Sequence, residues 1–258
     1  MNISDKKYFK IYSEKTGSQI DSLIADFDFS DTSGNFEYST KSSAVYSSNI
    51  EGNSIDLNSY MNYELNKDKF KAGQEIEEIE NLISAYDYAQ NHNLSEENML
   101  YCHKILSKTL LIKSKRGNYR IEPVGVFGKE GLAYMAVEPE YVNEHMRDFF
   151  SEIKKLLSIK MTNEEVFYFA SLLHLRFVHI HPFRDGNGRI ARLLEKCFIA
   201  EKLGDKFWKI PSEEYYKNNQ QLYYNAIDLG VNFYELDYEN CVDFLLMLPN
   251  CLRKKRDK

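Results

Sequence analysis

Twelve consecutive residues carry the densest set of reactive side chains in the protein: His181-Pro182-Phe183-Arg184-Asp185-Gly186-Asn187-Gly188-Arg189-Ile190-Ala191-Arg192. A histidine ends an apolar run, a carboxylate stands four residues on, a Gly-Asn-Gly turn follows, and two arginines lie three apart. Gly186, Asn187 and Gly188 open a helix, whose first turn has unpaired N–H groups and the positive end of the helix dipole. Glycine lets that backbone come close to an anion, which makes a phosphate cradle. Arg189 and Arg192 add charge and suit phosphate oxygens in two-pronged contact. Asp185 beside the cradle suits Mg2+ bridging phosphate oxygens. His181 can take a proton near neutral pH. Singly, these are an ordinary glycine turn, surface arginines and a core histidine. Together they point to phosphoryl or nucleotidyl transfer.

Competing chemistry is weaker. His174, His179 and His181 invite a metal reading, but no cysteine or second carboxylate stands at ligand spacing and no H-E-x-x-H occurs, so zinc is disfavoured. His174 is assigned to the core. Cys102, Cys197, Cys241 and Cys251 are scattered without a C-x-x-C pair and read as reduced thiols. Far upstream, Ser47 and Glu51 stand four apart, on one face of a helix.

The elements that must position these residues read as helices. Five prolines and 12 glycines in 258 residues argue against a loop-rich β-sandwich, and 19 Tyr with 16 Phe supply an aromatic core. A short helix is expected over 18–27 and a loop at Asp31, Ser33 and Gly34. A helix over about 40–52 is stopped by Gly52, just past its C-cap. Others are expected over 73–91, over 96–109 behind a Ser95 N-cap, and over 139–158. Thr162 and Glu165 form a capping box. The helix they open, to about Ile180, is apolar nearly all round and is therefore the buried centre of the bundle. Pro182 breaks it. Further helices are expected near 188, over 213–229 and over 239–248. Val124-Gly125-Val126-Phe127 and Leu132-Ala133-Tyr134-Met135 flank Gly128-Lys129-Glu130-Gly131 as the one clear β-hairpin.

The net charge of −6 gives no general affinity for nucleic acid. No apolar run approaches the roughly 18 residues a membrane span needs. The start of the chain shows no apolar leader segment. Cytoplasmic location is the default that follows. The basic tail at 251–258 reads as a solvated end.

His181-Pro182-Phe183-x-Asp185-Gly186-Asn187-Gly188-Arg189-x-x-Arg192 resembles the signature of the Fic family, H-P-F-x-[D/E]-G-N-G-R-x-x-R, with no departure. Ser47-x-x-x-Glu51-Gly52 resembles that family's inhibitory motif, [S/T]-x-x-x-E-[G/N]. The resemblance runs from about Ser42 to Leu248. It implies an all-α fold with a hairpin flap, divided here as an N-terminal extension (1–35), a Fic domain (36–250) holding the inhibitory helix (about 40–52), and the tail.

The implied activity is transfer of AMP from Mg-ATP to a side-chain hydroxyl of a target protein. His181 would be the general base and Asp185 the Mg2+ ligand. The backbone of Gly186, Asn187 and Gly188 would form the anion hole, with the Asn187 amide also at the phosphates. Arg189 would support the phosphates, Arg192 would bind the γ-phosphate, and Phe183 would anchor the loop. Tyr223 and Tyr224 match a tyrosine pair near the adenine; the asparagine that follows it in relatives has no counterpart in register, Asn232 being the nearest. The flap at Val124, Gly125, Val126 and Phe127 would align a target segment by strand addition. Glu51 paired with Arg192 would block the γ-phosphate site. The family also contains enzymes that remove AMP, using the same glutamate to position water, and a non-catalytic nucleotide-sensing module is a third alternative. Relatives often dimerise, so a homodimer is open. The target protein is not specified by the sequence.

Overall fold

The computed structural model describes residues 3–30, 36–69, 72–128 and 131–253. The expected loop at 31–34, the hairpin tip at Lys129-Glu130 and the tail from Lys254 lie outside the described residues. Among the described residues the fold is helical apart from one hairpin.

Before the hairpin come α1 (Phe9–Thr16), α2 (Ile20–Asp26), α3 (Glu37–Ile50), α4 (Leu57–Leu65), α5 (Gln74–Gln90) and α6 (Glu96–Leu106). Strands β1 (Gly125–Gly128) and β2 (Gly131–Met135) follow. After them come α7 (Pro139–Ser158), α8 (Asn163–Ile180), α9 (Asn187–Leu203), α10 (Ser212–Asn218), α11 (Gln220–Ile227), α12 (Val242–Leu245) and α13 (Met247–Asn250). Among the described residues no helix is long and apolar enough to cross a membrane.

Helix α8 is the centre. Its capping box is formed as the sequence implies: Thr162 Oγ1 accepts from the Glu165 N–H and Glu165 Oε2 from the Thr162 N–H. Val166 to Leu175 are buried without a break. Helix α9 packs along α8 most extensively, and α7 lays the stripe Val142, Met146, Phe149, Ile153 and Leu156 against the same core. The first helices join this core too. Tyr12 of α1 is buried and packs on Tyr168 with ring centroids 5.4 Å apart, and the Tyr8 N–H donates to the Tyr168 hydroxyl.

Three expectations needed correction. The helix over 213–229 is two helices, because Asn219 leaves helical geometry (φ −118, ψ 36) between α10 and α11. The span 239–248 is a 3-10 turn followed by the short α12 and α13. Helix α6 stops at Leu106 rather than 109, with Ser107 as its C-cap. Helix α4, opened by an Asp56 cap on the Ser59 N–H, was not anticipated. The hairpin pairs Val126 with Tyr134 and Phe127 with Leu132, and this two-against-three register places a bulge at Ala133.

Candidate active site

His181 ends α8 in the left-handed region (φ 52, ψ 57), the place where Pro182 disfavours another helical residue. Its Nδ1 lies 3.2 Å from the Val178 carbonyl. A carbonyl only accepts, so Nδ1 carries the proton and Nε2 keeps its lone pair. Burial pushes the imidazole pKa down to about 4, so the ring is neutral at physiological pH. It is a base ready to take a proton.

The loop that follows is held from within. The Asn187 amide clasps Phe183, accepting from its N–H at 2.8 Å and donating to its carbonyl at 2.9 Å. The amide thus braces the turn from within. Phe183 stacks on His103 at 3.6 Å with the rings 4° from parallel. The Gly117 N–H donates to His103 Nδ1, so Nε2 carries the proton and donates to the Asp185 carbonyl at 3.0 Å. Gly186 sits at φ 83, where a side chain is strained. Helix α9 then starts at Asn187 with its first N–H groups unpaired within the helix.

Asp185 flanks this opening. Its Oδ1 accepts from the Gly186 N–H at 2.6 Å, and its side chain is 52% exposed. Among the described residues no three His, Cys, Asp or Glu side chains gather. An accessible carboxylate beside an anion nest, here 3.7 Å from Arg189 Nη1, fits Mg2+, which keeps water and phosphate oxygens around one or two protein carboxylates. Asp185 would hold it there.

The arginines are not on the surface. Arg189 is buried and pairs with Glu78 at 2.5 Å. Arg192 is fully buried. Its Nε donates to Ser47 Oγ at 2.8 Å, Nη2 to the Ser47 carbonyl at 3.0 Å and to Glu51 Oε1 at 2.7 Å, and Nη1 to the Tyr223 hydroxyl at 3.2 Å. One turn on, Lys196 donates to Ser43 Oγ and Glu213. Helices α3 and α9 thus cross in a ladder of four-residue steps: Ser43 with Lys196, Ser47 with Arg192, Glu51 with Gly188. Serines serve because they are small and accept from a cation. A Cβ at Gly188 would overlap Glu51 Oε1. The Glu51 carboxylate therefore lies on the nest itself. Burial raises the Glu51 pKa, but Arg192 and then Arg189 outweigh it and hold the group below the ordinary carboxylate value.

The carbonyls at the end of α3 are capped from the other side. Lys217 donates to the Asn49 carbonyl at 2.9 Å, and Gln220 and Tyr224 donate to that of Ile50 at 2.8 and 2.9 Å. Gly52 then turns the chain at φ 100. Tyr223 is only 1% exposed. Its hydroxyl sits between Arg192 and His174 Nε2 (2.9 Å), and His174 Nδ1 meets Glu195 at 2.9 Å. The expected tyrosine pair is therefore split: Tyr223 supports Arg192 from the core, and Tyr224 keeps a half-exposed ring while tethering α3. Asn232 belongs to neither; its backbone bridges Met135 at the flap root.

The flap stands beside the base. The Tyr134 hydroxyl donates to the His179 carbonyl at 2.6 Å. Val126 is exposed, Gly125 pairs with Met135, Phe127 pairs with Leu132 through its backbone, and the Val124 carbonyl accepts from the Ala136 N–H. Sequence reasoning missed Arg120, His103, Glu78, Lys217 and Gln220. Only Ser43 and Lys196 carried a usable signal, the step of four that extends Ser47–Glu51 and Gly188–Arg192.

Residues 93–199 match the Fic/DOC family. Over 106 residues the chain is 33% identical to the protein adenylyltransferase fic-1 of Caenorhabditis briggsae, a stretch that covers 41% of this chain and 19% of the relative. The match thus spans about a fifth of that relative's length. A crystal structure of a Fic family protein from Desulfovibrio desulfuricans resembles the fold with a TM-score of 0.77 at 23% identity, covering 94% of this chain and 73% of that one. Fic-1 from Caenorhabditis elegans does so with a TM-score of 0.69 at 18% identity, covering 95% and 70%. The intact signature on a buried helix pair and the family match across it identify a Fic/DOC domain in residues 93–199, and the likeness to solved structures extends the same fold over most of this chain.

Proposed function

We propose that the protein is an autoinhibited protein adenylyltransferase that moves AMP from ATP to a Ser, Thr or Tyr hydroxyl of a target protein. One observation carries the reading: a neutral His181 with a bare Nε2 precedes, by a five-residue loop, a helix N-terminus backed by two buried arginines. The likeness to the protein adenylyltransferase fic-1 of Caenorhabditis briggsae supports the same direction.

In this reading the nest at Gly186, Asn187 and Gly188 binds the phosphates of ATP, and Arg189 and Arg192 balance their charge. The flap lays the target segment beside His181. Nε2 takes the hydroxyl proton as the oxygen attacks the α-phosphorus. The bond to the β-phosphate breaks and pyrophosphate leaves. Mg2+ on Asp185 would supply charge neutralisation at the phosphates. His181 is held by burial in the form that can accept the proton.

Glu51 opposes this state. While its carboxylate lies on Gly188 and Arg192, a phosphate cannot occupy the same nest, and two negative charges there repel. The test is labelled-ATP transfer into cell lysate by wild type, Glu51→Gly and His181→Ala. Wild type should label weakly, Glu51→Gly strongly and His181→Ala not at all. Equal labelling by Glu51→Gly and wild type would sink autoinhibition. A parallel sample of AMP-modified protein without ATP separates a hydrolase: release of AMP by wild type that Glu51→Gly lacks would favour that chemistry.

A further inference from the structure

We infer that Arg120 is the positioning residue that sets the flap against the His181 base, by holding both feet of the hairpin and the catalytic loop on one guanidinium. The role rests on the adenylyltransferase reading, because it concerns how a hydroxyl laid on the flap meets Nε2.

Arg120 is 2% exposed. Its Nε donates to the His181 carbonyl at 2.7 Å. Nη2 donates to the Val137 carbonyl at 2.6 Å and to that of Ile180 at 3.3 Å, and Nη1 to the Glu122 carbonyl at 3.2 Å. Its own N–H donates to the Pro182 carbonyl at 2.9 Å. Glu122 leads into β1 and Val137 follows β2, so these are the two feet of the flap. Ile180, His181 and Pro182 are the turn that presents the base.

Packing alone does not explain this residue. Among the described residues no carboxylate makes an ion pair with Arg120; carbonyl oxygens meet its charge instead. A buried guanidinium is costly, and an apolar side chain would stabilise the same space as well or better. What arginine adds is a flat fork whose donors point in fixed directions. Groups bonded to one fork cannot shift independently. His181 also needs such a hold, since a non-glycine residue at φ 52 is disfavoured. Arg120 bonds the carbonyls on both sides of the Pro182 nitrogen and so fixes that peptide. A second tie, from the Tyr134 hydroxyl to the His179 carbonyl, joins the flap to the same end of α8. Arg120 touches neither the nest nor Asp185 by any of these bonds, so its effect should fall on the alignment of the two reactants and spare nucleotide binding.

The test compares Arg120→Met and Arg120→Lys in the Glu51→Gly background. ATP affinity is measured by calorimetry and AMP incorporation into lysate protein by initial rate. Hydrogen exchange is followed at the His181 and Ala136 amides, which report the loop and the flap. Arg120→Met should leave ATP affinity unchanged and lower the rate by about a hundredfold, the effect of a misplacement of about 1 Å. Exchange should quicken at both amides together. Arg120→Lys should recover part of the rate, because a point charge cannot span both groups of carbonyls. Transfer at the parent rate, ATP affinity falling in step with the rate, or faster exchange on one side alone would overturn the role. If the Glu51→Gly parent itself transfers no AMP, the adenylyltransferase reading fails separately. The exchange comparison then decides the Arg120 tie: a joint rise supports it and no rise overturns it.

Discussion

Glu51 Oε1 stands so close to the Cα of Gly188 that a Cβ at that position would overlap it. The same oxygen accepts from Arg192 Nη2 at 2.7 Å. The carboxylate thus fills the space that glycine opens at the start of α9.

Gly188→Ala should change sign with its background. In wild type the added methyl collides with Glu51 and destabilises the fold. In Glu51→Gly the collision with the carboxylate is gone, the next neighbour is Arg192 Nη1 at 3.1 Å, which shifts by a few tenths of an ångström once unpaired from Glu51, and alanine in a helix is favoured over glycine by about 1 kcal/mol. Denaturant unfolding of the four proteins of this double-mutant cycle checks it. Destabilisation of equal size in both backgrounds would show that Glu51 does not occupy that space.

The grip on the end of α3 should set the strength of inhibition. Lys217, Gln220 and Tyr224 cap the Asn49 and Ile50 carbonyls, which a helix end otherwise leaves unpaired. Gln220→Leu combined with Tyr224→Phe should free the turn that carries Glu51. Labelled-ATP transfer should rise above wild type without exceeding Glu51→Gly. In the Glu51→Gly background the same pair should add nothing, and a further rise there would detach these residues from Glu51.

Ser47→Ala removes the hydroxyl that receives Arg192 Nε at 2.8 Å. A buried charged donor left without a partner costs about 1–3 kcal/mol. Thermal unfolding should show this loss, and AMP transfer should rise less than in Glu51→Gly because the Glu51 contact remains. A loss confined to the range of surface substitutions would mean that the α3–α9 ladder contributes little.

Acid should weaken the fold from pH 6.5 downward. Burial lowers His103 from 6.5 to about 4 and His179 from 6.5 to about 3. Between those values the unfolded chain binds protons that the folded chain does not, so stability rises with pH and is lost as pH falls. The slope is about 1.4 kcal/mol per pH unit for each such histidine. Urea unfolding from neutral pH to pH 4 checks the slope, and His103→Phe should reduce it. Glu51 adds a later loss with the same sign. Its depressed carboxyl stabilises above its ordinary value of 4.5, and that contribution fades as pH falls through the lower folded value. His181, lowered to about 4, stays a base through this range, so Glu51→Gly should keep its transfer rate well below pH 6.5.

Local elements were legible because their signals are local. Thr162 and Glu165 announced α8, Pro182 ended it, and Gly52 marked the end of α3. The hairpin followed from alternating short runs around glycines. Near 219 and 241 the same reasoning overran the helices, since apolar spacing continued while the backbone turned. Asn187 shows the same limit: its type suits a phosphate, and only the fold shows that its amide also clasps Phe183 across the turn.

By itself the sequence determined the reactive stretch from His181 to Arg192, because a loop and the first turn of a helix build their geometry from neighbouring residues. It also determined that Ser47 and Glu51 share a face, since helical spacing requires it. Only the tertiary structure decided what that face meets. Glu51 and Arg192 are 141 residues apart, and Arg120 and His181 are 61 apart. No local rule sets such pairs; the packing of α3 on α9 and of the flap on the end of α8 does. That packing also buries both Arg189 and Arg192, the latter braced by Ser47, Glu51 and Tyr223. Buried cations need partners, and in this fold the partner of Arg192 is the carboxylate that closes the nest.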